Sequence, residues 1–369
     1  MPANASDERW MRAALREARH GDPSPNPHVG AVLVKAGKLV AKGYHRRAGD
    51  AHAEVAALKR AGKRARGATL YVTFEPCNHF GRTPPCTDAI IAAGVERVVV
   101  GARDMAPHVP GAERKLRRAG IEVTYGVCEA EAEALVRDFA KHIRRGLPEV
   151  TLKSAATLDG HTASRTGESK WITGEAARGE AHRMRAYADA VLVGVGTVLA
   201  DNPHLNVRLV KGRAPVRVVL DSELRTPVTA NVVTGKGGHT IVFHASSAPP
   251  GKRRALGRAG AELVEVARTS GGLDLKRVLR ELGKRDIVRL LVEGGAAVHG
   301  SLLRERLADR AALFYAPKLL GDPAAYPLAN AGPAPHLRSA VALNDVTVRH
   351  LGEDLLVEGR LRYAGARAK

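Results

Sequence analysis

Four residues with metal-binding or acid–base side chains lie close together in the first third of the chain. His52-Ala53-Glu54 opens a run with helical spacing, Pro76-Cys77 follows an apolar run, and Cys86 precedes a second helical run. One imidazole and two thiolates make a three-ligand zinc site, which keeps a fourth position open for water. Zinc lowers the pKa of such a water toward 7, and Glu54 can approach the water without binding the metal.

This arrangement suits hydrolytic deamination, because a carboxylate beside an activated water can pass protons to a leaving amine. Zinc nucleobase deaminases carry the pattern H-x-E…P-C-x-x-C with the Glu as acid and base. The sequence departs from that pattern, since eight residues, NHFGRTPP, separate Cys77 from Cys86. Three alternatives stay open: a buried Cys pair with a surface His, His79 as a rival ligand, and a closed, non-enzymatic zinc module. Cys128 has no nearby partner in the sequence and is expected to be structural.

The second half contains two glycine-bearing turns that follow apolar runs. The stretch Val193-Gly194-Val195-Gly196-Thr197 lacks the spacing of the dinucleotide-binding fingerprint. In LLVEGGAAVHGSLL the apolar strand ends at Glu293 and Gly294-Gly295 opens a helix. Backbone N–H groups at such a helix start can face an anion, and a dinucleotide phosphate is one candidate. A plain strand–helix connection explains this turn equally well.

The hydrophobic pattern of the first half predicts the elements that position these residues. Residues 7–20 have the spacing of an amphipathic helix, and residues 30–34 and 38–43 flank Ala36-Gly37 as a hairpin. The run AHAEVAALKRAG predicts a helix that stops at Gly62. The remaining predicted elements are the strands ATLYVTF, ERVVVGARD and IEVTYGV, the helices TDAIIAAG and GAERKLRRAG, and one helix over residues 128–146.

Gly146 and Pro148 break the chain, so the predicted domains are residues 1–147 and 148–369. Strands and helices alternate again in the second domain, which predicts an α/β layered fold in both halves. Its expected strands are VTLKSAA, VLVGVG, VRVVLD, TIVFH, AELVEV and VRLLVEGG, and its expected helices surround EAARGEAHRMRAYA, LKRVLREL and SLLRERL. The end of the chain, VTVRHLGEDLLVEGRLR, predicts an antiparallel hairpin.

Length and composition agree with two domains and with a protein outside the membrane. At roughly 100–200 residues per domain, 369 residues suggest two domains. The chain is 44% hydrophobic, yet no run approaches the roughly 20 apolar residues that a membrane span needs. Three cysteines are too few for a disulfide framework. The first residues, MPANASDERW, lack the pattern of a secretory signal, so we expect a cytoplasmic protein.

The net charge of +20 suggests nucleic acid as a first partner. The basic residues are spread through both halves, as in KRAGKRARG, KLRRAG and KRRALGRAG, without interleaved aromatic residues for base stacking. We therefore expect a solvated Arg-rich surface and no specific nucleic acid. A phosphorylated small substrate also suits a basic pocket.

Specific motifs resemble a known family in both halves. The stretches PNPHVGAVLV, HAE and TFEPCNHFGRTPPC closely resemble the deaminase domain of the bifunctional riboflavin-biosynthesis protein family. The stretches LKSAATLDGHTASRTGESKWITG, VLVGVGTVLADNPHL, RVVLDSELRTP, LVEGG and FYAPKLLG resemble the reductase domain of the same family. The match covers roughly residues 10–360. It implies an α/β protein with an N-terminal cytidine-deaminase-like three-layer domain and a C-terminal dihydrofolate-reductase-like domain.

The resemblance implies Zn²⁺ and NADPH as cofactors and a phosphorylated pyrimidine as substrate. Zinc would be held by His52, Cys77 and Cys86, with Glu54 as the catalytic acid and base. The residues expected to line the deaminase pocket are Asn26, His45, His79, Arg82 and Thr83. The implied NADPH contacts are Ala155, Trp171, Thr197, Asp201, Ser222, Gly295, Ala296, Ala297, Val298, His299, Gly300 and Ser301. The implied substrate contacts of the reductase are Lys153, Ser169, Arg185, Leu205, Arg208 and Glu293.

The implied chemistry has two steps on one substrate class. The first domain would hydrolyse the exocyclic amine of a diaminopyrimidinone ribosyl phosphate, and the second would reduce the ribosyl group to ribityl by hydride transfer. Arg185 and Arg208 suit an anionic group, Lys153 and Glu293 could hold polar edges of the pyrimidine, and Asp201 could orient the reacting centre. We also expect a homo-oligomer.

Two departures from the family leave alternatives open. Ala106 stands where the family carries an Asn after the RVVV strand, and Asn206 stands where it favours Thr. The first departure allows a protein in which only the reductase works because the deaminase is impaired. The charge allows a nucleic-acid-binding zinc deaminase, whose affinity would fall steeply with salt.

Overall fold

The computed structural model describes residues 5–80, 84–104, 111–235, 237–333 and 336–365. The chain divides into two compact units, Met1–Gly146 and Leu147–Lys369, each with its own sheet. In the described parts of the chain, no helix has both the length and the apolar character needed to cross a membrane.

The N-terminal unit is a five-stranded sheet covered by helices, with the strand order β2-β1-β3-β4-β5. β1 is antiparallel to β2 and β3, whereas β3, β4 and β5 are parallel. The strands are β1 (Gly30–Lys35), β2 (Lys38–Tyr44), β3 (Thr69–Phe74), β4 (Arg97–Ala102) and β5 (Glu122–Tyr125). The helices are α1 (Ala5–Ala18), α2 (Ala53–Ala61), α3 (Cys86–Ala92), α4 (Ala112–Arg118), α5 (Glu129–Leu135) and α6 (Arg137–Arg145), and a 3-10 turn covers Gly62–Ala65.

The start of α2 is held close to the sheet by a glycine. A Cβ on Gly43 of β2 would lie 2.5 Å from both the Ala53 oxygen and the Ala57 nitrogen, so only glycine lets the helix pack so closely. The predicted hairpin through Ala36-Gly37 and the predicted helix ending before Gly62 are both present. Fully buried apolar side chains fill the space between sheet and helices, among them Met11, Leu33, Leu70, Ile90 and Leu116.

The prediction of one continuous helix over residues 128–146 is wrong. The structure has two helices, α5 and α6, with a break at Val136, where φ is −110° and ψ is 12°. Val136 is 4% exposed and belongs to the apolar core. The break therefore lets this side chain pack inward, while α6 has no fully buried residue.

The C-terminal unit is built on a nine-stranded sheet with the order β11-β10-β9-β8-β14-β6-β15-β18-β17. The strands are β6 (Glu149–Thr157), β7 (His161–Ala163), β8 (Ala190–Gly194), β9 (Val216–Leu220), β10 (Thr240–His244), β11 (Glu262–Glu265), β12 (Arg268–Thr269), β13 (Gly272–Leu273), β14 (Arg289–Val292), β15 (Arg310–Ala316), β16 (Tyr326–Pro327), β17 (Ala342–Leu351) and β18 (Asp354–Arg362). The helices are α7 (Glu175–Tyr187), α8 (Val195–Asp201), α9 (Asn231–Thr234), α10 (Pro250–Arg258), α11 (Leu275–Gly283) and α12 (Ala296–Arg304), with a 3-10 turn at Leu337–Ser339.

The strands from β11 to β15 in this order are parallel, and the terminal β17–β18 hairpin adds to them antiparallel, as predicted. Apolar clusters cover both faces of the sheet, which explains the near-continuous hydrophobic runs of β8 and β14. The carboxyl ends of β8, β14 and β6 lie side by side, and ligand sites of open α/β sheets form at this edge. The helix α10 was not predicted, because its sequence stood out only as a basic run.

Two candidate active sites

The first candidate site joins one residue from each of three chain segments. His52 is the residue before α2, Cys77 follows β3, and Cys86 is the first residue of α3. His52 Nδ1 lies 3.2 Å from Cys86 Sγ and 3.5 Å from Cys77 Sγ, and all three ligand atoms lie within 4.8 Å of one another. Tetrahedral zinc with ordinary Zn–S and Zn–N bond lengths separates its ligand atoms by about 3.5–3.8 Å. The donor set and its spacing therefore fit zinc.

The electrostatics of the two thiols favour one thiolate before any metal is considered. The Cys86 backbone N–H donates to Cys77 Sγ at 3.3 Å. A hydrogen bond from the Cys86 thiol lowers the pKa of Cys77, and burial opposes this effect without overcoming it. A site that already stabilises a thiolate needs less proton release to take up zinc.

Glu54 lies in the first turn of α2, and its side chain is buried. Burial raises the pKa of Glu54 to about 7, although the neighbouring His52 pulls it the other way. A carboxyl group with a pKa near the working pH can both accept and return a proton, which is the requirement for a general acid and base.

The rival ligand His79 is exposed and lies outside the metal-binding group. Cys128 also lies outside it, and its Sγ is 3.9 Å from the Glu8 carbonyl oxygen. Among the residues that the structure describes, His52, Cys77 and Cys86 are the one group of three or more potential ligands within metal-binding distance.

Asn26 and His45 meet beside the metal ligands. The ring of His45 packs edge-on against that of His52, with 5.1 Å between the centroids. His45 Nδ1 donates to the Ala51 oxygen at 3.2 Å, so its Nε2 accepts the Asn26 amide N–H at 3.0 Å. This direction leaves the Asn26 Oδ1 as the acceptor that a substrate amine or ring N–H can use. Arg82, Thr83 and Ala106 lie outside the described residues.

The second candidate site centres on a buried carboxylate at the end of β14. Glu293 takes a bidentate ion pair from Arg185 of α7, with N–O distances of 2.5 and 2.7 Å, and Lys153 Nζ of β6 lies 3.9 Å from it. Burial alone would raise the pKa of Glu293, but Arg185 and Lys153 outweigh it and lower the pKa to about 2. Burial lowers the pKa of Lys153. The structure thus brings together three residues that are far apart in sequence.

This ion pair changes what Arg185 can do. Because its guanidinium is paired with Glu293, Arg185 is not available to bind an anionic group of a ligand, although its residue type had suggested that role. Arg208 is exposed and its Nη1 donates to the amide oxygen Asn206 Oδ1 at 3.1 Å. Within the described chain no carboxylate pairs with Arg208, which makes it the available cation of the two. The side chain of Leu205 is 2% exposed and packs in the core, so only its backbone can reach a ligand.

The predicted NADPH residues gather at the carboxyl ends of β8 and β14. Helices α8 and α12 both start here, and the Gly194 N–H donates to the Gly294 oxygen at 3.0 Å. A Cβ on Gly295 would lie 3.4 Å from Thr197 Oγ1, so the two helix starts are close neighbours. Two adjacent helix N-termini present N–H groups and positive dipole ends, which suits the phosphates of a dinucleotide.

The other predicted contacts lie on several further segments of the same unit. Ser169 Oγ donates to Asp201 Oδ1 at 3.4 Å. Trp171 is exposed, and Arg178 stacks on its ring at 4.6 Å. Ala155 lies in β6, Ser222 follows β9, and Ala296 to Ser301 belong to α12.

Within α12, the side chain of His299 and the Cα of Gly300 face the protein instead of the helix start. Both ring nitrogens of His299 lie 3.2 Å from carbonyl oxygens, those of Leu328 and Val292. Gly300 packs directly against the Asn330 carbonyl, which leaves no room for a Cβ. These two residues hold the segment around Asn330 on the helix, so the His299 ring and the Cα of Gly300 are already in contact with the protein.

One residue of this site was missed by sequence reasoning. His182 is buried on α7, and its Nδ1 accepts the backbone N–H of Arg208 at 3.2 Å. The available signal was its position three residues before Arg185, which places both on one face of a helix.

Sequence models of two protein families match the chain. The family described as cytidine and deoxycytidylate deaminase zinc-binding region matches residues 4–102, and the RibD C-terminal domain matches residues 148–357. Together with the two sites, these matches define a bifunctional enzyme that combines a zinc-dependent deaminase with a reductase.

Relatives align over nearly the whole chain. The riboflavin biosynthesis protein RibD of Aquifex aeolicus is 46% identical over 355 residues, with 95% of this chain and 97% of the relative covered. The solved structure of Acinetobacter baumannii RibD has a TM-score of 0.87 at 38% identity and covers 97% of this chain and 99% of its own. The chain belongs to the family of the riboflavin biosynthesis protein RibD.

A third comparison names both activities. A Thermotoga maritima structure, titled a diaminohydroxyphosphoribosylaminopyrimidine deaminase/5-amino-6-(5-phosphoribosylamino)uracil reductase, has a TM-score of 0.85 at 38% identity, with 97% of this chain and 99% of that chain covered. The predicted fold class, the deaminase–reductase function in riboflavin biosynthesis and the cofactors zinc and NADPH are confirmed. The comparisons do not favour the two alternative functions.

Proposed function

We propose that this chain deaminates a diaminopyrimidinone carrying a ribosyl phosphate and then reduces the ribosyl group to ribityl. A phosphorylated pyrimidine fits the function of the family. The observation that carries the proposal is the His52–Cys77–Cys86 group with the buried carboxyl of Glu54 beside it. We assign deamination to residues 1–147 and reduction to residues 148–369.

In the deaminase site, His52, Cys77 and Cys86 would hold zinc, which when bound supplies the Lewis acidity that lowers the pKa of a water. Glu54 takes a proton on its carboxylate as the water attacks the ring carbon that bears the amine. The same carboxyl then returns the proton to the exocyclic nitrogen and ammonia leaves. The second proton of the water moves to the ring nitrogen, so that a carbonyl replaces the amine. Asn26, held by His45, accepts a hydrogen bond from the pyrimidine and orients the ring.

In the reductase site, NADPH supplies the hydride. The first turns of α8 and α12 would hold its phosphates, and Asp201, the last residue of α8, accepts a hydrogen bond from Ser169. Glu293, fixed by Arg185, and Lys153 bind polar edges of the pyrimidine. Arg208 binds the phosphate of the substrate. Because Glu293, Arg185 and Lys153 are largely buried, their polar groups act in a medium of low dielectric, where they can hold the pyrimidine in one orientation.

We further propose that the protein is a cytoplasmic homo-oligomer. β17 is the edge strand of the nine-stranded sheet, and most of its residues are exposed, with Val346 at 50% and Val348 at 58%. An edge strand with unpaired backbone groups and apolar side chains is a surface on which a second copy can pair. Light scattering coupled to gel filtration tests this: a second copy doubles the mass, and Val348→Lys should return it to that of one chain.

The function is tested by following ammonia release and NADPH oxidation with zinc-replete protein and the diaminopyrimidinone ribosyl phosphate. We expect both signals, with ammonia first. NADPH oxidation only with substrate that has been deaminated beforehand would show an impaired deaminase. Neither signal with zinc bound would contradict the proposed function.

A further inference from the structure

The segment Asn206–Arg208 is held against one face of α7 by two hydrogen bonds. His182 Nδ1 accepts the Arg208 N–H at 3.2 Å, and one turn later Arg185 Nη1 donates to the Asn206 carbonyl oxygen at 3.2 Å. The two contacts hold the backbone on both sides of Val207. Since Arg185 is itself bound to Glu293, the segment is tied to the centre of the reductase site.

The side chain of Arg208 is held by a neutral partner. Its Nη1 donates to Asn206 Oδ1 at 3.1 Å, two residues away. An amide oxygen fixes the direction of the guanidinium without cancelling its charge, whereas the carboxylate of Glu293 cancels that of Arg185. The result is a cation that is oriented in advance and still free to bind an anion.

His182 can hold the segment because its ring is neutral and its Nδ1 faces the backbone N–H of Arg208. Only 4% of its surface is exposed. Burial, helped by the nearby cations Arg185 and Arg208, lowers the pKa of His182 to about 4. The ring is therefore neutral at neutral pH, and because the Arg208 N–H points at Nδ1, the one ring proton lies on Nε2 and Nδ1 accepts.

We propose that His182 and Asn206 are positioning residues for Arg208, and that together they set the affinity of the reductase for the phosphate monoester of its substrate. This inference rests on the proposed function. Phosphate occurs on both the substrate and NADPH, and the oriented guanidinium is assigned to the substrate. Asn206 gives the chain an amide at a position where the motif it resembles favours Thr.

The test uses matched variants at each position. His182→Asn keeps an acceptor where Nδ1 lies, whereas His182→Gln moves the acceptor to where Nε2 lies. Asn206→Asp keeps the shape of the amide but adds a carboxylate that cancels the charge of Arg208, and Asn206→Ala only releases the guanidinium. Arg208→Ala is the reference. Reductase kcat and KM are measured with pre-deaminated substrate, with and without its phosphate, together with the KM for NADPH and the rate of ammonia release.

We expect Arg208→Ala, His182→Gln and Asn206→Asp to raise the substrate KM about tenfold or more, the loss typical of a hydrogen bond to a charged group. Asn206→Ala should have a smaller effect, and His182→Asn should restore nearly the original KM. The kcat, the KM for NADPH and ammonia release should stay within about twofold. With substrate that lacks the phosphate, all variants should match the unsubstituted protein.

Different outcomes separate the inference from the function it rests on. If His182→Asn and His182→Gln raise KM equally, or if KM also rises for the phosphate-free substrate, the residues act only structurally and the inference is wrong. If the variants raise the KM for NADPH and not that for the substrate, Arg208 binds the cofactor and the inference is wrong. If the unsubstituted protein shows no NADPH oxidation, the proposed function fails and the inference with it.

Discussion

The two sites of this chain are assembled in opposite ways. The zinc-binding group of the N-terminal unit comes from residues 52–86, and its members start or end elements that are neighbours in sequence. The polar centre of the C-terminal unit comes from residues as far apart as Lys153 and Glu293. In the first site residue type reveals the role, because imidazole and thiolates in this order have few other uses. In the second, common charged residues acquire a role only from their partners.

The two sites also differ in which charged side chain has no oppositely charged partner. In the deaminase site Glu54 is buried, and among the described residues it forms no ion pair with a lysine or arginine. In the reductase site two of the three arginine and lysine candidates face Glu293. Only Arg208 keeps its charge available. Four variants or conditions test this contrast.

The largest effect is expected for Glu54→Gln. Deamination should fall by about 10²–10⁴-fold, because the general acid and base is lost, while zinc content and reduction of pre-deaminated substrate stay unchanged. Ammonia release, metal analysis and NADPH oxidation measure the three quantities. Cys86→Ala is the contrasting variant and should lose zinc as well as deamination. Loss of zinc from Glu54→Gln would show that Glu54 is a ligand.

The second-largest effect is expected for Glu293→Gln, which should lower the free energy of unfolding of the C-terminal unit by about 3–5 kcal/mol. The reason is that the buried Arg185 and Lys153 lose the charge that compensates them. NADPH oxidation should be lost and ammonia release kept. Glu223→Gln is the surface control: its pair with Arg268 is exposed, so its effect should stay below about 1 kcal/mol. Equal denaturation midpoints for both variants would contradict the buried triad.

Gly300→Ala should destabilise the C-terminal unit by about 1–3 kcal/mol, since its Cβ would collide with the Asn330 carbonyl. The KM for NADPH should rise because the start of α12 shifts. Gly179→Ala in α7 is the matched control: nothing lies within 4 Å of its new Cβ, so helix propensity predicts a gain of about 0.5–1 kcal/mol. Thermal melts that move in the same direction for both variants would show that the segment at Asn330 yields easily.

The smallest effect concerns pH and His182. Its folded pKa of about 4 lies below its ordinary value of 6.5, so the unfolded chain binds a proton that the folded chain rejects. The native protein should thus lose this part of its stability as pH falls from 6.5 toward 4 and keep it above 6.5. The charged groups that face His182 are Arg185, Arg208, Glu293 and Lys153.

His182→Asn removes this titration and keeps those charges. Relative to the native protein, the Tm of the variant should rise on the order of 2–4 °C between pH 7 and pH 4.5. Melting curves recorded at both pH values give the difference directly. If the Tm difference between the variant and the native protein is the same at both pH values, the His182 ring takes up its proton in the folded state as readily as in the unfolded chain.

Most of the scaffold was predictable, because strand and helix periods are local properties of the chain. The hairpin through Ala36-Gly37, the helix that carries Glu54 and the terminal hairpin are present as predicted. The helix over residues 128–146 was predicted wrongly. Val136 packs in the apolar core where the helix breaks, and the helical spacing of the sequence does not reveal this packing. The zinc ligands remain predictions in their roles, but the structure brings all three together.

The amino-acid sequence alone was enough to identify a two-domain α/β protein with a zinc-type His-x-Glu motif and two nearby cysteines, and its motifs led to the family. Those features depend on residue type and short spacing. The folded structure was needed to show that Arg185 is bound to Glu293, that Leu205 is buried, and that His182 supports the segment of Arg208. Which charges meet depends on how distant strands and helices pack, and packing follows from the whole chain.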